Sequence, residues 1–333
     1  MPESTRVLII GEVENERLNA TTKEAIAAGH HLAQKINVPV CVGLVGNDLQ
    51  IAAQEAITSG ADNVYTIENP LLKQMPVDLY LTALEEICRK LSPSILLLGR
   101  TTLGRDIGPI LAFRLKAGFA QDCIKLNLNL ETGSLLADRP VYGGNAIATV
   151  AFNTTLQIAS IRPKVYAPLE ANSDRKGEVI NIKFPLENSE PKVRVLKQVK
   201  EEHSGTDLGN ASVVVAGGRG IGGPEPFLNE LQELADSLAG NVGASRAAVD
   251  SGWVPSNYQI GLTGITIAPD LYIAVGLSGA SQHMAGCSGA KNIVAVNKDI
   301  EANIFKEASF GVVGDWKRIL PAFNQSVKEL QKD

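Results

Sequence analysis

Long apolar runs, an excess of basic residues and closely spaced cysteines are all missing from this chain of 333 residues. No stretch approaches the roughly 20 apolar residues of a membrane-spanning helix. Met1-Pro2-Glu3-Ser4-Thr5-Arg6 leads into no signal-peptide core, so the expectation is a soluble, cytoplasmic protein without membrane insertion. Lys and Arg number 31 against 36 Asp and Glu, a formal charge of −5, and no local basic run offsets it. Such a surface does not attract a phosphate backbone, and nucleic acid is not expected as a partner. Cys41, Cys88, Cys123 and Cys287 are scattered, with no C-x-x-C pair and no histidine at ligand spacing, which argues against a disulfide framework or a metal site. Aromatics are only 5%, so the core must come from aliphatic residues.

What is present is an ordinary globular composition, 44% hydrophobic and 20% charged, on a chain long enough for two domains. Buried-strand patterns over 6–12, 40–45, 63–67 and 94–98 alternate with helical spacing over 22–35, 49–59, 78–91 and 104–115. Alternation of this kind implies a parallel sheet covered on both faces. Segments 122–130, 134–140, 144–152 and 156–161 are β-rich and are expected to extend that sheet. The chain then turns polar between about 183 and 210, with an isolated strand pattern over 193–196, and the domain boundary is placed at Ser204-Gly205. Strand patterns over 211–216, 271–275, 293–296 and 311–313, with helices over 226–238 and 316–330, restart the alternation. The fold class expected is α/β, with two doubly wound parallel-sheet domains (1–204 and 205–333), the second Rossmann-like.

In an open parallel sheet, ligands bind at the carboxyl ends of the strands. In the second domain each such end carries unusual residues: Gly217-Gly218-Arg219-Gly220-Ile221-Gly222-Gly223, Gly276-Leu277-Ser278-Gly279-Ala280-Ser281-Gln282-His283, Asn297-Lys298-Asp299, and Gly314-Asp315. Glycines let backbone approach a pyrophosphate, a helix opening near His283 adds its positive end, and Asn297 and Asp315 suit ribose and adenine edges. Any one of these loops could equally be a tight turn or a helix cap; four converging on one rim favour binding. Gly218-x-Gly220-x-x-Gly223 fits the nicotinamide fingerprint, but Pro224 and Pro226 fall where its helix should run, and no second strand ends in an acidic residue. The segment 243–263 has little periodicity and reads as a binding loop, with Ser245, Arg246 and Thr263 as its polar candidates. Taken alone, His283 is as readily a structural hydrogen bonder as a functional group.

Val215-Ala216-Gly217-Gly218-Arg219-Gly220, the run from Gly243 to Asp250, the run from Tyr272 to His283 and the run from Ile293 to Asp299 together closely resemble the FAD-binding domain of electron-transfer flavoprotein alpha subunits, including nitrogen-fixation-associated relatives. The stretches 99–115 and 158–163 resemble the first domain of that family. The resemblance implies a heterodimer with a beta subunit against which the first domain packs. It also implies one bound FAD, and electron shuttling between donors such as acyl-CoA dehydrogenases and a quinone reductase or other acceptor, possible also within a bifurcating complex. No covalent catalytic residue is implied. Carried over by position, Arg246 lies over the flavin ring, Thr263 meets its N5, and His283 meets its O2, favouring an anionic, one-electron-reduced ring. Arg219, Ser245, Ser278, Gly279, Ala280 and Gln282 hold ring and pyrophosphate. Asn297 and Asp315 serve the adenosine, and Ile260, Gly261, Leu262, Ser281 and Trp316 complete the set. One departure stands out: Leu262 replaces the amide the family usually carries beside N5, which removes a hydrogen-bonding group. Cys287, one turn beyond His283, is read as packing.

Overall fold

The computed structural model describes residues 6–74, 76–144, 146–185, 193, 208–209 and 211–330. These fall into two compact units, one comprising the chain up to 141 with 146–200, the other 142–145 with 201–333. The boundary expected at Ser204-Gly205 lies outside the described residues, as does all but the first residue of the strand expected over 193–196.

The first unit opens with β1 (Val7–Ile10), followed by a short hairpin of β2 (Val13–Glu14) and β3 (Arg17–Leu18), α1 (Ala20–Ile36), β4 (Val40–Gly46), α2 (Gln50–Thr58), β5 (Asn63–Glu68), α3 (Val77–Leu91), β6 (Ile95–Gly99) and α4 (Thr102–Arg114). After α4 come β7 (Gly118–Cys123), β8 (Lys125–Leu128), β9 (Leu135–Val141), β10 (Ala146–Ala151), β11 (Gln157–Ile161) and β12 (Glu178–Asn181). Seven parallel strands run in the order β12-β5-β4-β1-β6-β11-β7. All four residues of β1 are buried, as the uninterrupted apolar run requires of a strand covered on both faces. Each is worth about 1.5–3 kcal/mol of apolar burial, which outweighs any local preference of a four-residue segment. Helix ends follow the side chains: Asn19 caps α1 by accepting from the Thr22 N–H, and Asn37 closes it in the left-handed region at φ 50°.

Where the sequence pattern was coarser than the fold, the reasons are local. The expected strand over 122–130 is two strands, because Asp122 takes φ 65° at a register shift between β7 and β11 and turns the chain into a second sheet. That sheet, β10-β9-β8, is antiparallel and separate, so of the strands from β7 to β11 only β7 and β11 extend the main one. The strand β12 was not expected, since Glu178–Asn181 shows no apolar run and pairs at the sheet edge.

The bulge aims Asp122 at two arginines that follow strand ends. Arg162 donates from Nε and Nη2 to the two carboxylate oxygens at 2.9 and 2.7 Å, and Arg100 Nε lies 3.2 Å from Oδ1. Order in the sheet reverses between β1 and β6, where the Thr101 hydroxyl donates to Glu12 at 2.5 Å while also capping α4 by accepting from the Gly104 N–H. Burial holds the Glu12 carboxyl above its usual range, with the Thr101 bond opposing.

The second unit contains β13 (Val213–Gly217), α5 (Glu225–Leu228), α6 (Glu230–Ser237), β14 (Asn241–Ala244), α7 (Arg246–Asp250), β15 (Leu271–Val275), α8 (Ser281–Met284), β16 (Asn292–Asn297), α9 (Ile304–Glu307), β17 (Phe310–Val313) and α10 (Trp316–Leu330). Its strands are all parallel, in the order β14-β13-β15-β16-β17. Alternate residues serve opposite faces. Val215, Ile273, Val275 and Val296 pack with Phe227, Leu231, Leu234, Trp316 and Leu320, whereas Val214, Ala216, Tyr272 and Ala274 pack with Ile260, Leu277, Met284 and Cys287. The helix expected over 226–238 breaks at Asn229 (φ −110°, ψ −93°) into α5 and α6. Pro321, expected in the first turns of the last helix, sits at its sixth residue, so one intrahelical bond is missing there.

Replacing Asp122 by Asn keeps the shape but leaves two guanidinium groups without their counter-charge. Asp122→Asn is expected to lower stability by about 3 kcal/mol in urea unfolding, and a loss below about 1 kcal/mol would show that the cluster tolerates an uncompensated positive charge.

Candidate functional site

The strand order of the second unit reverses between β13 and β15, and a cleft of about 1030 Å³ opens at that point, outside the carboxyl ends of the strands. It is lined by residues that follow β13 (Gly218, Arg219, Gly220), β14 (Ser245, Arg246, Ala247, Asp250), β15 (Gly276 to Ala280, Gln282, His283) and β16 (Asn297, Asp299, Glu301, Ala302, Asn303), together with Gln259 to Thr263.

The loop after β15 is built with a direction. Most of its carbonyls are bound by the protein: Gly276 O accepts from Gly220 N at 3.1 Å, Leu277 O from Asn297 Nδ2 at 2.8 Å, and Ser278 O from Ile304 N at 3.1 Å. Further on, Ala280 O accepts from His283 N at 2.9 Å and Gln282 O from Leu262 N at 2.7 Å. Among the described residues, the N–H groups of Ser278, Gly279, Ala280, Ser281 and Gln282 have no acceptor. A run of backbone donors with the carbonyls turned away is an anion-binding nest. Close packing makes it possible. Gly279 takes φ 75°, and a Cβ there would overlap the backbone of Ile304; a Cβ on Gly218 would overlap the Gly276 carbonyl. Because α8 has only four residues, the local N–H groups, rather than a long helix dipole, supply the positive field.

Cations lie at the rim. Arg219 is exposed and pairs with no carboxylate among the described residues, while Arg246 Nε donates to Asp250 at 3.2 Å. Ser245 caps α7, its Oγ accepting from Ala248 N at 3.3 Å. The Thr263 hydroxyl accepts from Gln259 Nε2 at 3.0 Å, and Leu262 is half-buried. The nicotinamide fingerprint finds no matching structure: Gly222 ends a single 3₁₀ turn, α5 is four residues long, and β14 ends at Ala244 with no acidic residue.

His283 is buried under the cleft. Its Nε2 lies 2.6 Å from the Tyr272 hydroxyl and its Nδ1 3.1 Å from the Ile260 carbonyl. Burial pushes the imidazole down to about 4, with the Ile260 carbonyl acting the other way. The ring is therefore buried, neutral and bonded through both nitrogens within the chain. Cys287, wholly buried, directs its thiol at the His283 carbonyl at 3.5 Å, and burial raises it to about 12, consistent with packing.

Most of the site residues expected from sequence therefore meet in one cleft: Arg219, Ser245, Arg246, Ile260, Gly261, Leu262, Thr263, Ser278, Gly279, Ala280, Gln282, His283 and Asn297 all line it. Ser281, Asp315 and Trp316 do not. Ser281 contributes only its place in the donor run. Asp315 is drawn aside by Lys298 at 3.1 Å and accepts from the Lys317 N–H at the start of α10, contacts that hold its carboxyl below the usual range. Trp316 packs in the core beneath the sheet. Asn297 reaches the cleft only by bracing it, with both side-chain ends committed to Leu277 O and Asp299 N. Asp250, Gln259, Glu301, Ala302 and Asn303 were not anticipated. Asp250 ends α7 and the others lie in loops whose composition resembles any solvated surface, and only the fold brings them to the rim.

An open parallel sheet with a nest at its switch point and a cleft of dinucleotide size defines a doubly wound nucleotide-binding domain. Residues 7–187 match the electron transfer flavoprotein domain, and residues 207–288 match the electron transfer flavoprotein FAD-binding domain. The electron transfer flavoprotein subunit alpha of Thermoanaerobacterium thermosaccharolyticum is 40% identical over 326 residues, covering 98% of each chain. That of Bacillus subtilis is 39% identical over 326 residues, again covering 98% of each, and Protein FixB of Clostridium saccharobutylicum is 37% identical over 326 residues, covering 97% of this chain and 96% of its own. The chain belongs to the electron-transfer flavoprotein alpha-subunit family, in which the FixB proteins also fall. Its role is electron transfer, and membership implies a beta-subunit partner. Among the described residues no helix is long and apolar enough to cross a membrane, and no group of side chains could hold a metal ion.

The neutral state of His283 has a pH signature. Its pKa lies near 4 in the folded chain against 6.5 unfolded, so the unfolded chain binds more protons as pH falls through that window. The contribution to stability is therefore complete above about pH 6.5 and lost on descent toward about 4, some 3 kcal/mol in all. Urea midpoints measured across the window should fall less steeply in His283→Gln than in the wild-type chain; parallel curves would mean that the ring is not buried neutral.

Proposed function

We propose that the second unit binds one FAD in this cleft and that, with its beta subunit, the chain carries electrons from flavin-dependent dehydrogenases, of which acyl-CoA dehydrogenases are one class, to a quinone reductase or another acceptor. The observation that carries the reading is the donor run from Ser278 to Gln282. It suits a diphosphate, and nothing in the cleft looks like an acid–base pair: Asp250 is tied to Arg246, and both nitrogens of His283 are internal. A site that binds and orients without proton transfer fits a carrier better than a dehydrogenase acting on a small molecule.

In this reading the nest and Arg219 hold the pyrophosphate through charge-assisted bonds. Ser245, capping α7, keeps the Arg246 guanidinium at the face of the ring system, and Gln259 fixes the Thr263 hydroxyl at its edge. When bound, the flavin supplies the electron chemistry. Leu262 places hydrocarbon where an amide would donate, so the ring edge there is drier and less polarised. Two exposed carboxylates, Asp299 and Glu301, line the same cleft and suit ribose hydroxyls. A bifurcating arrangement would need a second flavin held largely by the beta subunit.

Co-purification with the beta subunit tests this. The complex is expected to release FAD rather than FMN or a nicotinamide nucleotide, to be bleached reversibly by dithionite, and to retain FAD about tenfold less tightly in Arg219→Ala, the loss of roughly one charge-assisted contact. Release of a nicotinamide nucleotide, or of none, would overturn the reading.

A further inference from the structure

The turn over 259–265 is closed by its own backbone. Gln259 pairs with Ala244 at the end of β14, and Ile260 N donates to Ala244 O at 2.9 Å. Ile265 N donates back to Gln259 O at 2.7 Å, while Leu262 N is held by Gln282 O at 2.7 Å. Gly261 takes φ 143°, and a Cβ on Gly264 would overlap the Gln259 carbonyl and crowd its Cγ at 3.0 Å. With the two ends of the turn packed this closely, Gln259 Nε2 reaches Thr263 Oγ1 and donates to it at 3.0 Å. Thr263 is exposed and lines the cleft, and from Ile260 to Gly264 no other side chain has a polar atom.

We propose that Gln259 is a positioning residue that sets the polarity of the Thr263 hydroxyl, making it a hydrogen-bond donor to the ligand in the cleft. A hydroxyl has one proton and two lone pairs. The amide occupies one lone pair, so the proton is turned away from Gln259, and no group among the described residues accepts it. The turn therefore offers a proton to a flavin ring nitrogen that carries a lone pair. Toward a ring nitrogen that carries hydrogen the same hydroxyl is mismatched and has to rotate. Gln259 acts through Thr263 without itself meeting the ring, and through it the chain favours one protonation state of the ring edge. That the ligand is a flavin, with N5 at Thr263, rests on the functional reading above; the polarity of the pair rests on the contacts within the turn.

Nitrogen NMR of the complex with its beta subunit, reconstituted with FAD carrying ¹⁵N at N5, tests this, because a hydrogen bond donated to that nitrogen moves its resonance upfield. In oxidised FAD the wild-type signal should lie upfield of that in Thr263→Ala. Gln259→Leu removes the amide donor, and Gln259→Glu presents only acceptors and draws the Thr263 proton to itself. Both should move the signal downfield toward the Thr263→Ala position, Gln259→Glu the further of the two. Adding Gln259→Leu to Thr263→Ala should move it no more, a dependence that lost packing alone would not produce. FAD bound with the wild-type signal unmoved in both Gln259 variants would overturn the proposal and leave the functional reading standing, whereas a complex that takes up no flavin would overturn both. If Gln259→Leu does not fold, Gln259→Glu, which keeps the length of the side chain, decides.

Discussion

Everything at the cleft depends on which way one loop points its peptide groups. After β15 the chain must turn, and the carbonyls of Gly276, Leu277, Ser278 and Gln282 are bound by neighbours: Gly220 N, the Asn297 side chain, Ile304 N and Leu262 N. Backbone polar groups rarely stay unpaired when buried, so committing the acceptors leaves a row of donors whose natural partner is an anion. Gly218 and Gly279 are needed because a side chain at either would collide with the segments that do the committing. Asn297, which lines the cleft, also helps to hold this orientation through its bond to the Leu277 carbonyl.

The first unit shows what the same kind of sheet does without such a loop. Its strand order also reverses, between β1 and β6, and near the strand ends there Glu12 and Thr101 bond each other. Both sheets are doubly wound, and both have apolar strands covered on two faces. The second opens a cleft at its switch point, and the residues there, not the fold class, carry the function.

The long buried strands and the amphipathic helices were readable from periodicity, because a fully covered parallel strand has to be apolar throughout. So was the gathering of the glycine-rich strand ends at one rim, since parallel strands put their carboxyl ends together. The turn at Asp122 was not readable: its left-handed conformation is sustained by two arginines distant in sequence. The segment 243–263, which lacks periodicity, conceals the end of β14 and the five-residue helix α7, both too short for a pattern. His283 lines the cleft, and its surroundings could not be inferred without Tyr272, whose hydroxyl is invisible in an apolar strand pattern. Asp315 and Trp316 were carried by family position, and here one bonds the loop after β16 while the other belongs to the core.

Amide hydrogen exchange of the complex, compared with and without FAD, tests the orientation of that loop most directly. If the donors from Ser278 to Gln282 cradle the pyrophosphate, their exchange should slow markedly when FAD binds, while β1 and β4 of the first unit stay unchanged. FAD that binds tightly and leaves these amides exchanging as before would contradict the account.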